Sequence, residues 1–244
     1  MRTMSGAIDR LLFPPLCRHC GTPFRKGLSN ILCAECFEGI ESDRDPRCLL
    51  CGKPLSPAGY EGSVDPRCAD CRERESPLST VRCFAPYEGA LRQAHHSFKF
   101  EGMPSLAVEL GRCLAKVVLS SWLEGKTTLV PVPLSSDRER ERGYHPARLL
   151  ACDVSARTGL PVAEPVEKVR ATAPQMSLPR EERLGNLKAA FAVRKGVRVP
   201  VDVVLVDDVM TTGSTLEGCA EVLAAAGTRS VSALVLGRTA RIVE

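Results

Sequence analysis

Aromatic residues are scarce in this sequence: one Trp, three Tyr and seven Phe, 5% of 244 residues. Proteins that grip single-stranded nucleic acid by base stacking need aromatic platforms, so the composition argues against a chain devoted to that task. Neither sign of charge dominates. Lys and Arg number 33 against 29 Asp and Glu, a formal net charge of +4, which admits anionic ligands without demanding a polyanion. No apolar run approaches the roughly 18–20 residues that span a bilayer. The opening stretch, MRTMSGAIDRLLFPPLCRHC, has a short apolar patch from Leu11 to Leu16 that contains two prolines. It lacks the long apolar core and small-residue cleavage site of a secretory signal. Cytoplasmic residence without membrane insertion is the expectation. A nucleotide-hydrolase phosphate loop is also missing. Gly125-Lys126-Thr127 imitates its end, but the required first glycine falls at Ser120 and the segment precedes a strand pattern. Gly125 reads as a helix stop.

Cysteine, in contrast, is abundant and unevenly placed. Eight of the 12 form Cys-x-x-Cys pairs in the first third of the chain: Cys17/Cys20, Cys33/Cys36, Cys48/Cys51 and Cys68/Cys71. A two-residue spacer lets both thiolates meet one tetrahedral ion, and two such knuckles complete a Cys₄ site. Gly21 and Gly52 directly follow the second cysteine of their pairs, where the turn favours a permissive backbone. The segment 14–77 is rich in Pro and Gly and poor in apolar periodicity, so metal has to supply folding energy there. A disulfide framework would suit a secreted chain, and no export signal is present. Structural zinc is therefore expected, with Cys17/Cys20/Cys33/Cys36 and Cys48/Cys51/Cys68/Cys71 as the nearest-neighbour sets and an interleaved pairing still open. Cys83, Cys113, Cys152 and Cys219 are single and sit in apolar patterns, as small core residues do.

From about residue 78 the pattern changes. Strands are expected at Val81–Ala85, Leu129–Val132, Val203–Val206 and Val231–Leu236. Helices are expected at Pro104–Leu123, Pro146–Arg157 and Ser214–Ala226, the last stopped by Gly227. Alternating strands and helices imply a parallel α/β sheet, whose ligands bind beyond the carboxyl ends of the strands. This divides the chain into a Cys-rich zinc-ribbon-like region, 1–77, and an α/β region, 78–244.

VVLVDDVMTTGST, from Val203 to Thr215, carries the sharpest chemical signal. Its apolar run ends in Asp207-Asp208, and carboxylates are costly beside a core unless something polar lies beyond. Thr211-Thr212-Gly213-Ser214-Thr215 then leads into a helix. Glycine lets several backbone N–H groups converge, the helix terminus adds partial positive charge, and hydroxyls add donors. The acids can accept hydrogen bonds from sugar hydroxyls and attract Mg²⁺. Together the stretch can hold both ends of a ribose 5-phosphate. An acidic strand end followed by an ordinary helix cap is the plain alternative. A phosphate-accepting receiver domain is excluded, because only 36 residues follow Asp208.

This stretch closely resembles the phosphoribosyl-pyrophosphate (PRPP) motif of type I phosphoribosyltransferases. With the Cys-x-x-Cys pairs, the chain is identified as a member of the ComF family, associated with DNA uptake in competent bacteria. The resemblance extends to LLFPPLCRHCG, FKFEG, LVPVPLSSDRERERGYHPARLLA, RATAPQMSLPREERLGNLKAAFAV and VLGRT. It implies a type I phosphoribosyltransferase-like parallel sheet flanked by helices, with a small N-terminal zinc-binding region. Asp207 and Asp208 would hold the ribose hydroxyls, and Thr211 to Thr215 the 5-phosphate. Lys99, Arg138 and Arg142 would meet pyrophosphate, and Arg138 and Arg142 share a face if their segment is helical. A solvated face with Glu139 and Glu141 neutralising the arginines is the alternative. Arg170, Gln175, Arg183 and Asn186 fall in a polar, Pro-interrupted stretch that resembles a mobile hood. One departure stands out. The family commonly has Gly-Phe-Asn-Gln where this chain has Gly143-Tyr144-His145-Pro146, and His145 is expected at the surface.

Two functions compete. One is Mg²⁺-dependent transfer of ribose 5-phosphate from PRPP to an unidentified acceptor, with release of pyrophosphate. The other is a non-catalytic PRPP sensor or adaptor that docks a helicase or single-stranded DNA through its zinc region. A homo-oligomer is compatible with either.

Overall fold

The computed structural model describes residues 14–24, 27–28, 31–40, 47–55, 66–119, 127–169 and 190–239. The hood positions Arg170, Gln175, Arg183 and Asn186, and the helix stop expected at Gly125, lie outside these residues.

A parallel sheet organises the α/β region. Its strands are β3 (Thr80–Pro86), β4 (Thr128–Pro131), β7 (Asp202–Met210) and β8 (Ser230–Arg238), in the order β3-β8-β7-β4. β7 is interior. Val204 pairs with Leu129 on one side and with Ser232 on the other. The strand runs further than its apolar segment suggests, because Asp207 and Asp208 lie within it and the pairing continues to Met210.

Period-two alternation sends neighbouring residues of β7 to opposite faces. Val204 and Val206 join Leu129, Leu234 and Leu236 beneath three helices, α3 (Gly89–Phe100), α4 (Ala107–Leu119) and α6 (Pro146–Thr158). Val203 and Leu205 join Val130, Ala233 and Val235 beneath α7 (Ser214–Ala225). A short 3₁₀ turn, Pro104–Leu106, precedes α4 where a continuous helix was expected. The expected helix face is buried at Leu106, Leu110, Cys113 and Leu114. Two short strands, β5 (Val166–Lys168) and β6 (Phe191–Val193), form an antiparallel pair on the α7 side.

The Cys-rich region contributes a small hairpin, β1 (Gly27–Leu28) with β2 (Leu32–Cys33), followed by α1 (Ala34–Glu38) and later α2 (Ala69–Arg72). Its two halves pack on opposite faces of the sheet. Cys17, Phe24, Ile31, Leu32 and Cys33 share a core with Phe84, Leu91 and Phe98. Cys48, Leu50, Cys51, Cys68 and Cys71 share the other with Val81, Val130 and Leu205. Backbone bonds reinforce the second contact, where Val81 N–H donates to the Leu49 carbonyl at 2.8 Å. Of the single cysteines, Cys113 and Cys219 are core residues. Cys152 is exposed, contrary to its apolar sequence neighbourhood, because it falls on the outer face of α6.

His145 is buried, not on the surface. It is the N-cap of α6, where Nδ1 accepts the Arg148 N–H at 3.1 Å and Nε2 faces the Leu134 N–H at 3.1 Å. A neutral imidazole has one acceptor nitrogen, so the two amides compete for it. Burial, followed by the Arg148 charge, lowers its pKa. Asn is itself a favoured N-cap, so an Asn side chain could fill the capping role that His145 takes here. Pro146 occupies the first helical position, where its missing N–H costs nothing. Replacing His145 with Asn is expected to leave stability within about 0.5 kcal/mol, whereas His145→Ala costs about 1–2 kcal/mol. Urea denaturation of the two variants checks this.

Candidate functional site

The site lies at the carboxyl end of β7. Because the strand alternates, its two acids face different surroundings. Asp208 is 4% exposed and points to the α3 side. There Lys99 Nζ stands 2.6 Å from its Oδ2, and His95 Nε2 approaches the same oxygen at 3.1 Å without a well-aligned hydrogen bond. The other ring nitrogen of His95 is 2.8 Å from the Tyr87 hydroxyl. His95 and Lys99 are four apart on α3, so they share one face. Burial alone would raise the Asp208 pKa, but the His95 and Lys99 contacts reverse this and hold it well below the usual carboxylate range.

Asp207 turns to the opposite side. Burial, then the neighbouring Asp208 charge, pushes its pKa up to about 7. Its Oδ1 accepts the Asp208 N–H at 2.9 Å, and Asp208 Oδ1 accepts the Val209 N–H at 2.7 Å. Lys168, on β5, feels the fields of both Asp207 and Arg138, and burial is the main cause of its lowered pKa. Sequence reading missed His95, Tyr87 and Lys168. Two adjacent titratable groups with pKa values pushed apart are a recognised mark of a functional site.

Beyond Met210 the chain turns through Thr211 and Thr212 to Gly213, the N-cap of α7, at φ 87°. That left-handed conformation suits glycine, and a Cβ there would lie 2.6 Å from Met210 Cε. Thr212 Oγ1 and Ser214 Oγ are 2.9 Å apart, so the hydroxyls gather at the helix start. The first-turn amides of a helix have no partner within it, and the helix dipole favours an anion there. Gly213→Ala is expected to cost about 1–3 kcal/mol in stability through backbone strain and to weaken binding of inorganic phosphate. Thermal melts and phosphate titration test both effects.

The remaining predicted cations gather nearby. Arg138 and Arg142 lie on α5 (Ser136–Arg142), so the segment is helical. Arg142 stacks 5.9 Å from the exposed Phe100 ring, and Lys99 lies 6.0 Å from the same ring. Phe100 therefore draws a cation of α5 toward one of α3. Glu139 does not neutralise these arginines. It pairs with Arg148 at 2.8 Å, and Arg148 also grips Glu164.

In the Cys-rich region, the thiols of Cys17, Cys20, Cys33 and Cys36 form one cluster and those of Cys48, Cys51, Cys68 and Cys71 another, with every sulfur of a cluster within 4.8 Å of the others. This is the nearest-neighbour pairing. The Cys20–Cys33 and Cys51–Cys68 sulfurs are 3.8 Å apart. That is far from the ~2.05 Å of a disulfide, and it matches the edge of a tetrahedron with Zn–S bonds of about 2.3 Å. Gly21 and Gly52 take φ of 74° and 69°, as the knuckle turns require. Both donor sets fit structural Zn²⁺. Arg18, between Cys17 and Cys20, reaches Ser97 Oγ at 3.0 Å and also pairs with Glu101, which ties the first cluster to the end of α3.

Fold and site together define the class: a parallel α/β sheet flanked by helices and carrying two Cys₄ zinc-ribbon clusters. Residues 8–72 match the double zinc ribbon domain family. The chain belongs to the ComF family of competence and DNA utilization proteins. It is 31% identical to the DNA utilization protein YhgH of Salmonella typhi, over 94% of this chain and 99% of that one. It is 30% identical to competence protein F of Haemophilus influenzae, over 86% and 91%. Against competence protein ComFC of Bacillus subtilis the identity is 28%, over 85% and 84%. Among solved structures, an allosteric regulatory enzyme of purine biosynthesis aligns at 24% identity and a TM-score of 0.35, over 53% of this chain and 25% of that one. The hypoxanthine phosphoribosyltransferase of Trypanosoma cruzi aligns at 14% and 0.33, over 57% and 65%. Among the described residues, no helix is long and apolar enough to cross a membrane.

Proposed function

We propose that the chain binds PRPP with Mg²⁺ over the carboxyl end of β7 and transfers ribose 5-phosphate to an acceptor still to be identified, releasing pyrophosphate. One observation carries this reading: a strand, loop and helix bring Asp207 and Asp208 beside the hydroxyl-rich loop at 211–215, with Lys99 on one acid and Lys168 near the other.

Each group then has a task. Asp208, kept ionised by Lys99 and His95, and Asp207 across the strand accept hydrogen bonds from the ribose hydroxyls. The amides and hydroxyls of residues 211–215 clasp the 5-phosphate. Lys99, Arg138 and Arg142 stabilise the charge that develops on pyrophosphate as its bond to the anomeric carbon breaks, and the acceptor's nucleophile forms the new bond. No covalent enzyme intermediate is needed. The carboxylates are hard oxygen donors of the kind Mg²⁺ takes one or two of, alongside water and substrate phosphates. When bound, that ion supplies charge neutralisation to the diphosphate. Arg170, Gln175, Arg183 and Asn186 complete the reading as a hood that excludes water.

The names of the relatives, DNA utilization protein and competence protein, support a role in handling incoming DNA. The sensor or adaptor reading is favoured by a separate observation: the zinc clusters share both cores with the sheet, so a ligand event can reach a docking surface for a helicase or single-stranded DNA. Calorimetric titration of PRPP with Mg²⁺, paired with a pyrophosphate-release assay over a panel of bases and nucleic acids, separates the two. Binding with release supports transfer, and binding without release supports sensing. No binding, or equal binding by the Asp207→Asn/Asp208→Asn double variant, removes the ligand from both.

A further inference from the structure

Two arginines tie the second cysteine cluster to opposite ends of the loop at 211–215. Arg74 follows Cys71 by three residues. Its guanidinium faces the Cys71 thiol and donates to Glu217 Oε1 at 2.6 Å. Glu217 lies in the first turn of α7, and its N–H donates to the Gly213 carbonyl at 3.0 Å. The Glu217 side chain is only 13% exposed, so the pair escapes much of the screening that weakens surface ion pairs. The upstream end is held differently. Arg238, at the end of β8, donates to the Cys51 carbonyl and is the register partner of Met210, the residue just before Thr211. The Thr239 N–H donates to the Met210 carbonyl at 3.1 Å. The first cluster reaches α3 instead, through Arg18.

We propose that the Cys48/Cys51/Cys68/Cys71 centre and the 211–215 loop form one coupled unit, in which Arg74 and Arg238 act as positioning residues. The metal fixes Cys51 and Cys71, these fix the two arginines, and the arginines set both ends of the loop in the shape that takes a phosphate monoester. The inference rests on the phosphate reading of that loop given above. Coupling between two sites is reciprocal: loss of this metal weakens phosphate binding, and bound phosphate retains this metal. A centre that merely supports the fold carries no such specificity.

Zinc release from the zinc-loaded full chain to the chromogenic chelator 4-(2-pyridylazo)resorcinol tests this. Two phases are expected. The faster belongs to the first cluster, with its exposed Cys20, and the slower to the second, whose four cysteines are all buried. Saturating ribose 5-phosphate slows only the slow phase, by about fivefold or more, the lower end of typical coupling. Without ligand, Glu217→Met speeds the slow phase alone, and it also abolishes the slowing by ribose 5-phosphate. Calorimetry of ribose 5-phosphate on the same samples keeps the two readings apart. No binding heat removes the phosphate reading, and the ligand-free Glu217→Met comparison then judges the coupling by itself. An unchanged slow phase in Glu217→Met, or binding of ribose 5-phosphate that slows neither phase, overturns the coupling.

Discussion

Stripping zinc from the folded chain is expected to lower its thermal midpoint by more than about 10 °C, in a single transition that takes the α/β sheet with it. Cys17 and Cys33 belong to the same apolar cluster as Phe84, Leu91, Phe98 and Leu110. Cys48, Cys51, Cys68 and Cys71 belong to the one that contains Val81, Val130, Leu205 and Ala233. Metal loss leaves four thiols crowded within each cluster, with no ion to hold the chain around them. Structural zinc supplies roughly 10–16 kcal/mol of folding free energy to isolated fingers. If about half of that is lost here, at about 2–4 °C per kcal/mol for a chain of this size, the midpoint falls by about 10 °C or more. Circular dichroism melts in reducing buffer, with and without a strong chelator, measure it, and metal analysis should find two zinc ions per chain. A small early transition followed by an unshifted main one would show that the sheet does not depend on the clusters.

The zinc ligands and the strand–loop–helix were legible because each is a local pattern. Cys-x-x-Cys spacing is dictated by one tetrahedral ion, and an apolar run followed by acids, hydroxyls and glycine declares its own turn. What was not legible depends on distant packing. Nothing in the cysteine spacing says that the two clusters lie on opposite faces of one sheet. Arg74 meets Glu217 across 143 positions, and no local signal announces such a pair. His95 sits between these extremes. Leu91, Ala94, His95 and Phe98 follow the spacing of a buried helical face, and all four are buried. A histidine in such a stripe needs a polar partner, so the sequence did hold a trace of the Asp208 contact. His145 was misplaced at the surface because His is not among the favoured N-caps, although Pro146 behind it marks a helix start. The acids were placed beyond β7, but they lie within it. A strand's polar end pairs as readily as its apolar part when its neighbour, here β8, extends equally far.

Asp207→Asn is expected to move stability and binding in opposite directions. The Asp207 pKa stands at about 7 in the folded chain against an ordinary 3.8, raised by burial and then by the Asp208 charge. The unfolded chain therefore releases this proton at lower pH than the folded one. Between about pH 4 and 7 each rise in pH favours unfolding, and above 7 the full penalty is present. Asn carries no such penalty, and its Oδ1 can still accept the Asp208 N–H that Asp207 accepts at 2.9 Å. Asp207 keeps some contact with solvent, so the gain at pH 8 is set at about 1–2 kcal/mol rather than the ~4 kcal/mol that three pKa units would give. Below about pH 4 it vanishes. Binding goes the other way. An amide in place of a carboxylate removes a charge-assisted acceptor and presents a donor to the ribose, a loss of about 2–3 kcal/mol, which is roughly 30- to 150-fold in PRPP affinity. Melts between pH 5 and 8, with PRPP titrations on the same samples, test both arms. A variant less stable than the parent at pH 8 would show that the ionised carboxylate is already compensated within the fold, and undiminished PRPP affinity would show that Asp207 does not hold the sugar.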